Sequence, residues 1–232
     1  PLVAYSGGDA DSCLRSAVKM LGEVKSQPKL ARLFSKVLMP AAKAFREMML
    51  HGIQFNPDAR TTDENGKRVQ ARAYLEAKRD ALLEECLAMI PPKVRKDHAD
   101  DLRLTRDRLL QDILYSKKGF RLKPFKTTKK TGAPSVDRES LSNLDHPFVE
   151  KYIAQDELAS SIVKYMQTFS KHLAPDGRIH ASYIVPGTVA GRSSAKRPSV
   201  QQIPSRSWYA KHIKVQFEAS HGTELLTADF SQ

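Results

Sequence analysis

The residue best placed to do chemistry is a carboxylate, Asp229, that follows the short apolar run Leu225-Leu226-Thr227-Ala228. A run of this kind predicts a buried strand that delivers Asp229 to the edge of a sheet. A carboxylate held at a fixed position is what metal-assisted phosphoryl transfer requires. Asp229 could equally cap a turn after the strand, and the stretch taken alone favours that plainer interpretation.

A second candidate carboxylate lies near the other end of the sequence. Asp9 follows Tyr5-Ser-Gly-Gly and precedes a helical pattern of Leu14, Val18 and Leu21. One interpretation is that Asp9 caps the start of this helix, where a carboxylate is favourable. The other is a metal site, in which Asp9 binds a divalent ion and Tyr5 holds an attacking water.

The chain carries a large excess of positive charge, +12 with a pI near 9.7. Such a surplus favours a polyanionic partner, either nucleic acid or an anionic membrane. The densest segment, residues 116–136, has no acid and contains Lys117, Lys118, Arg121, Lys123, Lys126, Lys129 and Lys130. These cations repel one another unless an anion lies close. The segment is therefore either a solvated loop or a clamp on a phosphate backbone, and a clamp would bind with a steep salt dependence.

The elements that must position these residues are mostly helical. Apolar residues at three- and four-residue steps predict long helices over 29–51, 68–90, 102–117 and 146–172, with a polar loop over 58–67. After residue 175, alternating apolar residues predict strands over 178–185, 211–219 and 223–229. Helices followed by strands indicate an α+β fold.

Several classes of protein are disfavoured. No apolar run is long enough to span a bilayer, and the N-terminal residues lack the pattern of a signal peptide. Cys13 and Cys86 are isolated and lack metal-ligand spacing, which fits a reduced, intracellular setting. A protein of anionic membrane surfaces is disfavoured because the long helices carry mixed charges on their polar faces.

A set of short motifs occurs in order in the strand-rich part. They are Gly177-Arg-Ile-His180, Gly187-Thr-Val-Ala-Gly-Arg-Ser-Ser194, Pro198-Ser-Val-Gln-Gln-Ile-Pro204 and Asp229-Phe-Ser-Gln232. In order and spacing this chain resembles the family A DNA polymerases, the group of bacterial DNA polymerase I and phage replicative polymerases. Four positions depart from the usual residues of that family: Ser193 for Leu, Gln202 for Asn, Ala190 for Thr and Phe230 for Tyr.

The resemblance extends towards the N-terminus and implies a division of the chain. The segment from Tyr5 to Asp9 resembles the third motif of the family's 3′→5′ proofreading exonuclease. Residues 130–135 resemble part of the thumb of the family's polymerase. The resemblance thus implies four segments: an exonuclease-like C-terminal tail at 1–28, a connecting helix and loop at 29–67, a helical thumb at 68–172, and the first antiparallel strands of a palm at 173–232.

The resemblance also implies a reaction, template-directed transfer of nucleotides to a primer 3′-hydroxyl with two Mg²⁺ ions. Asp229 would be one of the two catalytic carboxylates, and the backbone carbonyl of Phe230 would be a further metal ligand. Asp9 would bind a metal ion of the exonuclease, together with Tyr5. Arg192 would act at the primer terminus, where acceptors in the minor groove are similar for all base pairs.

The remaining implied roles are in binding DNA. Gln201 and Gln202 would contact the template side, and His180 and Thr188 would support the primer strand. The residues expected on phosphates are Lys126, Lys129, Lys130, Lys196, Arg197 and Arg206.

The family's second catalytic carboxylate and its fingers helix have no counterpart in the sequence. We therefore expect an internal part of a polymerase that binds primer–template DNA but is inactive in primer extension by itself. Deoxynucleoside triphosphates would be ligands of the full-length parent, no membrane partner is expected, and the oligomeric state is not predicted. The resemblance also implies a cytoplasmic location, in a bacterial cell or a phage-infected host. The alternative is a non-catalytic basic module that binds duplex DNA.

Overall fold

The N-terminal part of the chain is helical almost throughout. The computed structural model describes residues 2–129, 131–185, 187–188 and 190–228. Its first helices are α1 (Leu2–Lys25), α2 (Pro28–Leu33) and α3 (Met39–His51), and a π-helical stretch, Phe34–Leu38, joins the last two. The helix predicted over 29–51 is therefore confirmed, with a π-helical stretch inside it.

Helix α1 corrects the interpretation of Asp9 as a helix cap. The helix begins at Leu2 and continues past Asp9, so Asp9 lies inside it. Gly7 and Gly8 do not interrupt the helix, although a glycine in a helix interior costs roughly 1 kcal/mol relative to alanine. The side chains of residues 5–23 are all exposed.

Six short strands among the described residues pair in three antiparallel two-stranded sheets. They are β1 (Ile53–Gln54) with β4 (Arg178–Ile179), β2 (Arg60–Thr62) with β3 (Arg68–Gln70), and β5 (Ser182–Ile184) with β6 (Ser194–Lys196). The single strand predicted over 178–185 is thus two strands with different partners. Apolar alternation does not reveal such a change, because both strands keep the same period of two.

The hairpin of β2 and β3 replaces the polar loop predicted over 58–67. Its turn is built on Asp63, whose carboxylate accepts hydrogen bonds from the backbone of Asn65 at 2.9 Å and of Lys67 at 2.8 Å. Gly66 has a positive φ of 79°, which glycine adopts readily. A short side chain that binds its own backbone is typical of a turn, so this polar stretch held a hairpin signal.

The remaining helices form a bundle around an apolar core. They are α4 (Ala71–Met89), α5 (Pro92–Asp97), α6 (Asp107–Tyr115), α7 (Arg138–Ser142), α8 (Pro147–Ser161) and α9 (Thr168–Lys171), the last two joined by π-helical Ile162–Gln167. The core includes Cys86, Leu110, Ile113, Leu114 and Phe148, all nearly inaccessible to solvent. The helices predicted over 68–90 and 146–172 are confirmed, and the one predicted over 102–117 is shorter at both ends.

Two predicted strands are wrong. The strand predicted over 211–219 begins inside the helix α10 (Ala210–Lys214), and His212, Ile213 and Gln216 are buried at helical rather than alternating spacing. Residues 223–228 form no strand, and Leu225 and Leu226 are 62% and 93% exposed. A strand requires a neighbouring strand for its backbone hydrogen bonds, and none of the described strands pairs with this segment.

The chain divides into two compact units. The first contains Pro1–Phe55, His172–Ile203 and Ala219–Gln232, and the second contains Asn56–Lys171 and Pro204–Glu218. The division into four segments made from the sequence remains a prediction. Within the described part of the chain, no helix is long and apolar enough to cross a bilayer.

Candidate nucleic-acid interface

The hairpin of β5 and β6 in the first unit holds Thr188 and Arg192 in its connecting loop. The backbone N–H of Gly187 donates to the carbonyl of Arg192 at 2.8 Å, and the N–H of Gly191 donates to the carbonyl of Thr188 at 3.0 Å. The N–H of Arg192 also donates to the hydroxyl of Thr188 at 3.1 Å. Thr188 therefore fixes the backbone of Arg192, whose guanidinium is exposed.

Glycines give this loop its shape. Gly191 has a φ of +77°, in the left-handed region that favours glycine. At Gly187 a Cβ atom would lie 2.5 Å from the backbone nitrogen of Ser194, so any side chain would push the two sides of the hairpin apart. These two positions explain why the motif around Arg192 needs glycine.

The glutamine motif lies beside the same loop. Gln201 belongs to a 3₁₀ turn, Val200–Gln202, and its side-chain amide donates to the hydroxyl of Ser193 at 3.1 Å. The structure therefore brings Thr188, Arg192 and Gln201 into one small region. Gln202 is exposed in the same turn.

Two further predicted phosphate contacts are on this hairpin. Lys196 ends strand β6 and Arg197 follows it, and both side chains are exposed. Neither makes an ion pair within the described part of the chain. The hairpin thus presents three cations, including Arg192, on one small structure.

His180 lies in the first unit and is occupied by protein contacts. Its Nδ1 donates to the carbonyl of Met49 at 2.8 Å, and its Nε2 donates to the carboxylate of Asp176 at 3.0 Å. These two acceptors, Met49 foremost, raise the pKa of His180 above its ordinary value. The ring therefore ties the end of α3 to the start of the strand-rich part, and neither nitrogen is left for a primer strand.

Arg178 completes this anchor, which is a role that sequence reasoning missed. Its guanidinium donates to the carbonyl of His51 at 3.3 Å and to the hydroxyl of Ser220 at 2.5 Å. The orphan carbonyls at the end of a helix need such donors. Arg178 and His180 are two residues apart on an extended chain, so their side chains point to the same side. This spacing could have suggested that both contact the same element, here the end of α3.

Gly52 is the point at which this anchor is most sensitive to mutation. Its φ is +67° and its ψ is −177°, a region that is essentially restricted to glycine, and a Cβ atom there would lie 2.8 Å from Cε1 of His180. We expect Gly52→Ala to destabilise the chain by roughly 2–4 kcal/mol, because backbone strain and overpacking add. Urea unfolding followed by far-UV circular dichroism measures this.

The matched control is Gly66→Ala in the turn between β2 and β3. Gly66 also has a positive φ of 79°, but a Cβ atom there would meet nothing within 4 Å. We expect a cost of about 1 kcal/mol for this variant. Equal losses for the two variants would show that the contact with His180 does not matter.

The basic segment 116–136 belongs to the second unit and is more ordered than its composition suggests. Lys118 pairs with Asp97, and Lys126 lies 2.9 Å from Asp137 and 2.5 Å from Glu139. Glu139 and Asp137, in that order, raise the pKa of Lys126. The expected repulsion is therefore relieved in part by acids of other elements.

The other cations of this segment remain open to a ligand. Lys117, Lys123 and Lys129 make no ion pair within the described residues and are exposed or half-exposed. Lys129 sits in a turn closed by hydrogen bonds from the backbone of Thr128 to Ala133 at 2.8 Å and of Gly132 to Thr128 at 2.9 Å. Arg206, in the same unit, is exposed ahead of α10.

Of the predicted metal-site residues, only Tyr5 and Asp9 lie in the part of the chain that the structure describes. Tyr5 and Asp9 lie one turn apart on α1, and both are exposed. Within the described residues, no group of three or more His, Cys, Asp or Glu side chains could hold a metal ion. Asp229 and Phe230, as well as Lys130 of the basic segment, lie outside the described residues.

Comparison with known proteins decides the family. The sequence profile of DNA polymerase family A matches residues 73–232, which is more than half of the chain. The chain belongs to DNA polymerase family A. The match includes the hairpin with Arg192, the glutamine turn and most of the helical second unit.

Curated relatives of this family A chain are bacterial DNA polymerases I. It is 34% identical to that of Treponema pallidum over 125 residues, which are 53% of this chain and 12% of the relative. It is 28% identical to that of Pseudomonas aeruginosa over 232 residues, 98% of this chain and 23% of the relative. The chain thus spans less than a quarter of the length of these relatives.

A solved structure supports the fold of the family A chain. The polymerase domain of Pol1 from M. smegmatis, in complex with DNA primer-template and dNTP, matches with a TM-score of 0.61 and 21% identity. The match covers 88% of this chain and 32% of that one. The combination of helices and short antiparallel strands is therefore that of a DNA polymerase I polymerase domain.

Proposed function

We propose that this chain provides the primer–template-binding part of a template-directed DNA polymerase. The observation that carries the proposal is the loop that holds Arg192 and Gln201 side by side within a family A match. Both side chains end in hydrogen-bond donors. Acceptors in the minor groove of DNA are nearly the same for every base pair, so donors on a rigid loop can test pair shape without reading sequence.

The exposed cations supply the electrostatic part of binding. In the first unit, Lys196 and Arg197 on the hairpin would contact DNA phosphates. In the second unit, Arg206 and Lys129 would do so. Phosphate contacts fix register and orientation but carry no sequence information, which suits an enzyme that must accept any sequence. The net charge of +12 also favours binding to a polyanion such as DNA.

The segments take their roles from the family. In this proposal residues 68–172 are the thumb, residues 173–232 are the first part of the palm, and residues 29–67 connect to an exonuclease-like tail at 1–28. Tyr5 and Asp9, one turn apart on α1, would belong to the exonuclease. His180 and Arg178 would support the palm by anchoring α3. Their effect on the primer strand would therefore be indirect.

The metal chemistry is proposed for the full-length protein. Two Mg²⁺ ions would activate the primer hydroxyl and stabilise the departing pyrophosphate of a deoxynucleoside triphosphate. Asp229 and the carbonyl of Phe230 are the residues of this chain that would serve them. One carboxylate does not complete a two-metal site, and the described residues do not supply the rest.

The salt dependence of duplex binding tests the phosphate contacts. Lys129 has no acidic partner within the described residues, so Lys129→Ala should reduce the slope of log affinity against log salt by about 1. Lys126→Ala, its matched control, should reduce the slope by less, because Asp137 and Glu139 already neutralise that ammonium. The measurement is fluorescence anisotropy of a labelled primer–template at several salt concentrations.

The results would separate the proposal from its alternative. Equal reductions of the salt slope in Lys129→Ala and Lys126→Ala would contradict the assignment of Lys129 as a phosphate contact. Tight duplex binding, combined with no nucleotide incorporation by the full-length protein, would favour a non-catalytic basic DNA-binding module.

A further inference from the structure

The exposed Trp208 is not used by the proposed interface. It is the single tryptophan of the chain and is 51% exposed, in the turn that leads into α10. Large aromatic side chains stabilise a fold most when they are buried. A half-exposed indole contributes less to folding than a buried one, and its free face is available to a ligand.

Trp208 is held in place by other rings. Its ring lies edge-to-face with that of Tyr209, at 5.6 Å and 84° between planes, and with that of His212, at 6.1 Å and 69°. His212 in turn lies 4.8 Å from the ring of Tyr74 on α4. These contacts link the surface indole to the helical bundle, so that little side-chain freedom would be lost when a ligand binds.

The ring of His212, which contacts Trp208, is buried and held in place by a hydrogen bond. His212 is 2% exposed, and its Nδ1 lies 2.6 Å from the hydroxyl of Thr61 on β2. Burial, and secondarily the charge of Lys211, lowers the pKa of His212, so the ring stays uncharged near neutral pH. A neutral imidazole adds an apolar platform beneath the indole without adding a buried charge.

The charges that surround this cluster favour an anion. Arg206 precedes Trp208 by two residues, Lys211 follows it by three, and both are exposed without an ion pair in the described part of the chain. Glu64, the acid bonded to Tyr74 of this cluster, already has partners: its carboxylate accepts from the ammonium of Lys78 at 2.5 Å and from the hydroxyl of Tyr74 at 2.6 Å. The exposed charges that flank Trp208 in the sequence are therefore positive.

We propose that Trp208 stacks with an unpaired nucleobase of single-stranded DNA whose phosphates contact Arg206 and Lys211. A fixed aromatic face beside exposed cations is the combination by which proteins hold single strands without reading sequence. A base within a duplex has both faces covered by its neighbours and cannot stack on the indole, so the site selects an unpaired strand. This inference rests on the DNA binding proposed above and deepens it by naming the single strand beyond the duplex as a ligand.

The position of Trp208 as the single tryptophan makes the test direct. An oligothymidine of about 12 nucleotides, within the usual span of such sites, is titrated into the 232-residue chain while indole fluorescence is recorded. We expect saturable quenching that follows the binding curve obtained by anisotropy of the labelled oligomer. An abasic deoxyribose-phosphate oligomer of equal charge should bind without quenching, and a blunt duplex should quench far less.

Variants separate stacking from folding. Trp208→Ala should weaken oligothymidine binding about 5- to 150-fold, which corresponds to the usual contribution of one stacked base. Trp208→Phe should retain part of the affinity because it keeps an aromatic face. Val163→Ala is the control, since Val163 is equally exposed at 52% in the same unit and should leave binding unchanged.

The outcomes distinguish this inference from the function on which it rests. Quenching by oligothymidine, with loss of affinity in Trp208→Ala but not in Val163→Ala, supports it. Salt-dependent duplex binding with no indole quenching by oligothymidine overturns the stacking site and leaves the proposed function standing. Absence of binding to either DNA overturns both.

Discussion

Asp229→Ala in the full-length protein should lower nucleotide incorporation by at least about 10³-fold, because the metal-bridging role proposed for this carboxylate is worth several kcal/mol of transition-state stabilisation. Affinity for primer–template should change little, since the proposed phosphate contacts lie on other residues. Single-turnover incorporation of one nucleotide, measured together with primer–template anisotropy, separates the two effects.

Glu224→Ala is the matched control for this carboxylate. Glu224 is an exposed acid in the same C-terminal segment, and no metal role is proposed for it. It should leave incorporation within about twofold of the wild type, as surface substitutions usually do. Undiminished incorporation by Asp229→Ala, or an equal loss in Glu224→Ala, would contradict the assignment.

Arg192→Ala has the second largest expected effect. Loss of a guanidinium that donates to base edges costs roughly 1–3 kcal/mol, so we expect kcat/KM for correct incorporation to fall about 5- to 150-fold. Arg192→Lys should recover only part of this loss, since an ammonium cannot donate through a planar fork. Because the guanidinium is exposed, neither change should alter the stability of the fold.

A control for Arg192 is available in the same unit. Arg46 on α3 is exposed, and among the described residues its one ion pair is with its neighbour Glu47, at 3.1 Å. Arg46→Ala removes one positive charge without touching the hairpin. If both arginine variants lost the same activity, the effect would come from net charge and not from the loop.

Sequence reasoning found the parts of the fold that depend on local periodicity. The long helices over 68–90 and 146–172 repeat apolar residues on one face, and a helix of that length is specified by its own sequence. Thr188, Arg192 and Gln201 come from motifs that are close in the sequence, and they also lie close together in the structure. Their proximity is local, because a single hairpin and the turn that follows it hold all three.

The failures concern elements whose structure depends on distant partners. Residues 211–219 alternate well enough for a strand, yet His212 is held by Thr61 and Tyr74, more than a hundred residues away, and the segment folds as a helix. The contact of His180 with Met49, 131 residues away, was likewise not predicted. Neither of these long-range contacts leaves a signal in the local sequence.

Backbone amide exchange in the hairpin loop tests the central claim most directly. Hydrogen–deuterium exchange of the 232-residue chain is measured by mass spectrometry with and without a primer–template duplex, and heparin serves as a polyanion without bases. If the loop around Arg192 holds the primer–template, peptides that cover 187–203 should exchange more slowly with the duplex, and heparin, which can engage only cations such as Lys196 and Arg197, should protect them clearly less. Protection confined to other segments, or equal protection by heparin, would contradict the account.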